Sequence, residues 1–199
     1  MIPLPSDEIL LKYVSGAIDP ALRMLVDRHI ELHPQTRDSL RDFEEFGGHL
    51  LAEEADAGLT AGSLDRALAR LAASPQQINP LRASFPALDA LRWRWAGPGR
   101  AIANIEIAGS RLKTYALRIA PGKAMLQHSH AAQEWTLIVQ GSYRDDSGEY
   151  DAGAFIEEDE ETDHRPVATG DGECICLAVM SGPLTAPGMM GRAARWLMR

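Results

Sequence analysis

Cysteine is scarce in this chain of 199 residues, which holds only Cys174 and Cys176. Two thiols cannot staple a disulfide scaffold, and neighbours two apart on one strand rarely bridge, so no structural disulfide is expected. Their spacing points both to one strand face, as small core residues, with a redox role as the alternative if that face meets a reactive pocket. An apolar run of membrane-spanning length is also lacking, as is a signal peptide, so the expected location is the cytoplasm with no membrane partner. Positive charge is short as well. Twenty Lys and Arg stand against 28 Asp and Glu, a net charge of −8, which speaks against direct contact with nucleic acid.

What is present changes character along the chain. Residues 1–73 carry apolar positions at helical spacing. Ser6-Asp7-Glu8 opens a first helix bearing Leu10, Tyr13, Val14 and Ala17. Pro20 starts a second, with Leu22, Leu25, Val26, His29 and His33 on one stripe. A third begins near Thr36 and is expected to be interrupted at Gly47-Gly48. A fourth spans Ser63 to Ala73, with Leu64, Ala67, Leu68 and Leu71 expected inward. Such a bundle is too short to bury much and calls for a partner. A polar, Pro-containing linker at 74–84 follows, and residues 85–199 change to short strands, at 101–107, 112–119, 134–140, 153–156 and 173–180, separated by turn residues. The fold class is therefore α+β in two domains, a small helical bundle before an all-β barrel or sandwich. Arg92-Trp93-Arg94-Trp95 reads as a first strand with Arg outward and Trp inward.

Between Gly122 and Gly141 the chain reads Gly, five residues, His128-x-His130, three residues, Glu134, six residues, Gly. Positions 128, 130 and 134 share strand parity, so two imidazoles and a carboxylate converge as a partial shell for a divalent transition metal. Spacing nominates His164 as the fourth ligand, preceded by Gly153 and the acidic run Glu157 to Glu161, which is expected to be a solvated loop. Zn is the first choice of metal, with Fe, Mn, Ni and Co as alternatives.

These two blocks resemble the paired motifs of the cupin superfamily, small antiparallel barrels with a metal inside. The resemblance implies His128, His130, Glu134 and His164 as the ligands. The second block departs from the family pattern at Asp159, Glu161 and Ala168. The Ser6-Asp7-led helix, the second helix carrying His29, and the C-terminal barrel together resemble the ChrR-type anti-sigma factors, as do residues 182–185 and the tail Gly191 to Arg199. That resemblance implies a helical domain that sequesters an extracytoplasmic-function sigma factor, through stripes on the first, second and fourth helices, and a barrel that senses oxidative or chemical signals. In the family the helical domain binds zinc through an upstream His and a His-x3-Cys-x2-Cys run. Here the matching positions are Leu4, His29, His33 and Thr36, so the N-terminal zinc is expected to be absent, with His49 as an unsupported substitute. The helical part holds 13 acidic and 7 basic residues, which suits a basic DNA-binding partner. The alternative is a dioxygenase-like cupin metalloenzyme with a vestigial helical domain, in which Tyr115, Tyr143 or a cysteine acts near the metal; pairing of two copies through the cupin is a further expectation.

Overall fold

The computed structural model describes residues 2–73 and 87–185, with the backbone alone at His130, Leu184 and Thr185. The linker expected at 74–84 and the tail from Gly191 lie outside the described residues. Four helices come first among the described residues: α1 (Asp7–Val14), α2 (Pro20–Leu32), α3 (Thr36–Glu53) and α4 (Ser63–Ala73). Ser6 caps α1 by accepting from the Ile9 N–H, and Asp19 caps α2 by accepting from the Ala21 N–H, with Pro20 in the first turn. α3 runs unbroken through Gly47-Gly48, against expectation. Glycine lowers helix stability by about 1 kcal/mol relative to alanine but keeps its N–H donor, so it weakens a helix without ending it.

The strands are short, and all pairings are antiparallel. In chain order they are β1 (Arg94–Trp95), β2 (Arg100–Ile105), β3 (Lys113–Ile119), β4 (His128–His130), β5 (Glu134–Gln140) and β6 (Ser142–Arg144). Then come β7 (Glu149–Asp151), β8 (Phe155–Glu158), β9 (Asp163–His164), β10 (Val167–Thr169), β11 (Cys174–Met180) and β12 (Leu184–Thr185). The larger sheet has the order β1-β2-β3-β11-β5-β8; the smaller sheets are β10-β6-β7 and β12-β4-β9. A cavity of about 80 Å³ lies between them, lined from both sides by residues of β3, β4, β5, β6, β9 and β11. Gly141 makes the turn from β5 to β6 with φ of 71°, where a Cβ would stand 2.6 Å from the Glu173 carbonyl oxygen, so only glycine fits.

α1 and α2 do not stand apart as a bundle. α2 lies across β5 and β11, and one core joins Leu22, Leu25 and Val26 of α2 to Leu137, Leu177 and Val179 of the sheet. Each such fully buried side chain contributes about 1.5–3 kcal/mol. The large sheet is thus covered on both faces, which is why every residue of β11 is buried, rather than alternate ones. Cys174 and Cys176 face the inner core and Ile175 the helical side.

The fourth helix departs furthest from expectation. Leu64, Leu68 and Leu71 are exposed and α4 has no buried residue. α3 divides in two: Leu40 is buried and Phe43 packs on the same core, whereas Phe46, Leu50 and Leu51 are exposed. The stripes of α1 and α2 that were expected to meet a partner are used internally instead. β1 also corrects its reading. Trp93 is packed beneath the Arg118 guanidinium at 4.8 Å, but Trp95 is 74% exposed.

Candidate metal centre

His128 begins β4 and pairs across the backbone with His164 on β9, so two strands of one small sheet bring both rings to the cavity. Glu134 opens β5 and reaches the same cavity from the large sheet. All three are buried. The backbone of His130 lies on β4, opposite Leu184; its side chain lies outside what is described.

The ring nitrogens decide what the site can hold. His128 Nδ1 donates to the Leu126 carbonyl oxygen at 2.7 Å. His164 Nδ1 lies 2.7 Å from Glu158 Oε1 and 3.3 Å from Asp145 Oδ2, both acceptors, so it too carries a proton. In the neutral rings the lone pairs are therefore on Nε2, and the two Nε2 atoms face each other at 3.1 Å. Two lone pairs at that distance need a cation or a proton between them. Zinc–imidazole bonds of about 2.0–2.1 Å at a tetrahedral angle put two nitrogens about 3.3 Å apart, close to this separation. A backbone carbonyl on one Nδ1 and carboxylates on the other are the outer partners that orient metal-bound histidines.

Charge points the same way. Glu134 and Glu158 are opposite each other in the β5–β8 ladder, and both are buried. The Asp145 side chain is buried beside them. Like charges opposite each other in a sheet, away from water, demand positive charge nearby. Burial alone would lower the His164 pKa, but the Glu158 hydrogen bond and charge, with Glu134 and Asp145, outweigh it and hold the imidazole above its ordinary value. Thr136 Oγ1 donates to Glu134 Oε1 at 3.0 Å and fixes that carboxylate.

Asp145, Glu158 and His164 Nδ1 also form a cluster of potential ligand atoms, all within 4.8 Å of one another. The 2.7 Å separation of Glu158 Oε1 from His164 Nδ1 is a hydrogen-bond length, shorter than two ligands of one ion would keep, so these carboxylates orient His164 and leave its Nε2 facing that of His128. Neither was singled out from the sequence. Glu158 belongs to the run expected to be solvated, and it is buried; its neighbours Glu157, Asp159 and Glu160 are exposed. Asp159 caps the turn before β9, accepting from the Glu161 N–H and the Thr162 hydroxyl at 3.1 Å each, which accounts for an acid where the cupin pattern has proline.

Tyr115, Tyr143 and Cys176 line the cavity. Burial raises the pKa of both phenols. The Cys174 hydrogen bond and then burial push the Cys176 thiol well above its ordinary value, so it is a neutral core thiol rather than a nucleophile. The two sulfurs lie 3.5 Å apart as free cysteines.

The helical histidines are built differently. His29 is fully buried; its Nδ1 donates to the Gly153 carbonyl oxygen at 2.8 Å, and its Nε2 accepts from the Thr36 hydroxyl at 2.8 Å. His33 Nδ1 donates to the same Thr36 oxygen at 3.3 Å. Both nitrogens of His29 are thus committed, and a metal could take one only by breaking a buried hydrogen bond. Desolvation first, then the charge of His33, lower the His29 pKa to about 4 despite the Gly153 carbonyl, so the ring is neutral. His49 lies exposed on α3 and Leu4 is exposed.

Comparison with known proteins extends over both parts of the chain. The family model of the ChrR cupin-like domain matches residues 85–185. The anti-sigma-E factor ChrR of Cereibacter sphaeroides is 32% identical over 191 residues, 90% of this chain and 89% of the relative. Among solved structures, the crystal structure of Rhodobacter sphaeroides SigE in complex with the anti-sigma ChrR matches with a TM-score of 0.75 and 31% identity, covering 90% of this chain and 98% of that one. Likeness at this level covers 90% of the chain, the helices as well as the barrel, and so the chain belongs to the ChrR-type anti-sigma factor family.

Proposed function

We infer that this protein is an anti-sigma factor, which binds a sigma factor of the extracytoplasmic-function class through its helical segment and carries a divalent metal in its barrel as a sensor of oxidative or chemical signals. The observation that carries the partner is the uncovered apolar surface of α3 and α4: Phe46, Leu50, Leu64, Leu68 and Leu71 are all exposed. An isolated helix of eleven residues is marginal in water, so an α4 with nothing buried gains most of its stability on docking. The net negative charge of residues 1–73 suits a partner whose own surface is made to meet DNA. In a chain of this family those features support a sigma factor, held in the cytoplasm.

The metal reading assigns His128, His130, Glu134 and His164 as ligands and zinc as the metal, supported by the paired Nε2 atoms and the buried acids. Zinc there supplies Lewis acidity and a fixed positive charge; the residues of this chain supply the orientation. The helical face, by contrast, is proposed to bind no zinc, since the Gly153–His29–Thr36–His33 chain of hydrogen bonds uses the atoms a metal would need. The domain scheme carries over as a helical segment, a linker at 74–84 and a cupin domain from 85. A metalloenzyme with an idle helical part is not favoured, because likeness to the family spans the helices too.

Co-expression with sigma factors from the same genome tests the partner. A stable complex that survives gel filtration, and whose sigma factor no longer binds core RNA polymerase, is expected. Absence of a complex with every such sigma factor overturns the reading.

A further inference from the structure

The segment from Gly153 through β8 meets two different parts of the molecule with its two faces. At alternate positions it grips the helices. The Gly153 carbonyl oxygen accepts from His29 Nδ1, and the Phe155 N–H donates to the Pro3 carbonyl oxygen at 3.0 Å. The Phe155 ring, 1% exposed, meets the His29 ring edge-on, with centroids 5.9 Å apart at 83°. The Glu157 carboxylate accepts from the Ser6 N–H at 2.7 Å and the Ser6 hydroxyl at 3.2 Å, at the positive end of α1. The positions between face the interior. Ala154 and Ile156 belong to the inner core, and Glu158 holds His164 Nδ1. Period-two geometry makes this division strict: 154, 156 and 158 lie on one face of the segment and 153, 155 and 157 on the other.

We propose that β8 is the coupling strand between the metal centre and the helical segment, with Glu158 as a positioning residue for His164 and Glu157 as the grip on α1. The proposal rests on the metal reading above. With both Nε2 lone pairs held by an ion, His164 is fixed and Glu158 is fixed with it, so the strand presents Gly153, Phe155 and Glu157 to the helices in one arrangement. Without the ion that bond at Nε2 is lost, and the inner anchor of the strand rests on the Nδ1 contacts of His164 with Glu158 and Asp145. α1 packs against α3, whose exposed half carries the partner-facing residues, so the state of the barrel reaches that surface by direct packing. Coupling of this kind is reciprocal: whatever loosens the outer grip must also weaken the ion.

The test uses the full chain and zinc alone. Affinity is read by competition with a chromophoric chelator, and hydrogen exchange by mass spectrometry over residues 5–32 in the stripped and loaded forms. Zinc is expected to slow exchange over 5–32 by about fivefold or more. Glu157→Ala, outside the cavity on an exposed side chain, is expected to weaken zinc by a similar factor. Glu158→Ala is expected to cost about 10–100-fold, and Glu158→Gln, which keeps an acceptor for His164 Nδ1, to recover most of it. Glu160→Ala removes a neighbouring exposed charge and is expected to change nothing. If zinc binds but exchange over 5–32 is unaltered and Glu157→Ala binds like the parent, the coupling is overturned while the metal reading stands. Equal losses in Glu157→Ala and Glu160→Ala would reduce the effect to bulk charge and also overturn it. Failure of the parent chain to take up zinc overturns both.

Discussion

At the scale of single residues, the molecule is governed by where its imidazole protons sit. His128 and His164 each spend Nδ1 on an oxygen and so present Nε2 to the cavity, whereas His29 spends both nitrogens. His128→Ala or His164→Ala is therefore expected to abolish stoichiometric zinc in the purified protein, read by elemental analysis, while His29→Gln leaves the zinc content unchanged. His29 also sets a pH dependence. Its pKa is about 4 in the folded chain against 6.5 unfolded, so between those values the unfolded state binds more protons and acid favours unfolding. Stability from this group is complete above about 6.5 and falls as pH drops, by about 2 kcal/mol at pH 5. Denaturant melts of the parent at pH 7 and 5 are expected to differ by that much more than those of His29→Gln. Equal pH slopes in the two proteins would mean that His29 is not buried as a neutral ring.

At the scale of elements, α4 is the case to test. Leu64→Asp or Leu68→Asp alters a residue that touches no core, so the free protein is expected to keep its stability within about 0.5 kcal/mol, while the sigma complex is lost in co-purification. The same helix shows where sequence reasoning reaches its limit. The leucine spacing identified a helix from Ser63 to Ala73 correctly, but an apolar stripe says only that a face must be covered, not by what. The stripes of α1 and α2 look no different in sequence, and they are covered by the chain's own sheet. The motif from Gly122 to Gly141 stood out by its spacing, but shared strand parity is not what unites it: His128 and Glu134 reach one cavity from β4 and β5, strands of two different sheets. Glu158 was not legible, because its partner His164 and its opposite number Glu134 are set by strand register, which no local pattern encodes. The break expected at Gly47-Gly48 failed for a simpler reason: glycine lowers helix propensity without removing a donor.

At the scale of the whole molecule, the helical segment and the barrel share one core, so neither is expected to behave as an independent part. A fragment beginning at residue 85 uncovers Leu137, Phe155, Leu177 and Val179, and is expected to aggregate or to bind apolar dyes, as seen by light scattering and fluorescence. Metal should be felt globally as well. With free zinc at about a hundred times its dissociation constant, binding adds about 2.7 kcal/mol, so chelation is expected to lower Tm by about 5–10 °C in a chain of this size. An unchanged melting temperature after complete removal of zinc would contradict that.

The bare leucines of α4 carry a cost for the free chain. Surface of this kind attracts its own kind when nothing better is available, so solitary copies would self-associate as their concentration rises. A cell that made this protein in excess of its client would gain precipitate rather than tighter repression, which favours matched synthesis of the two.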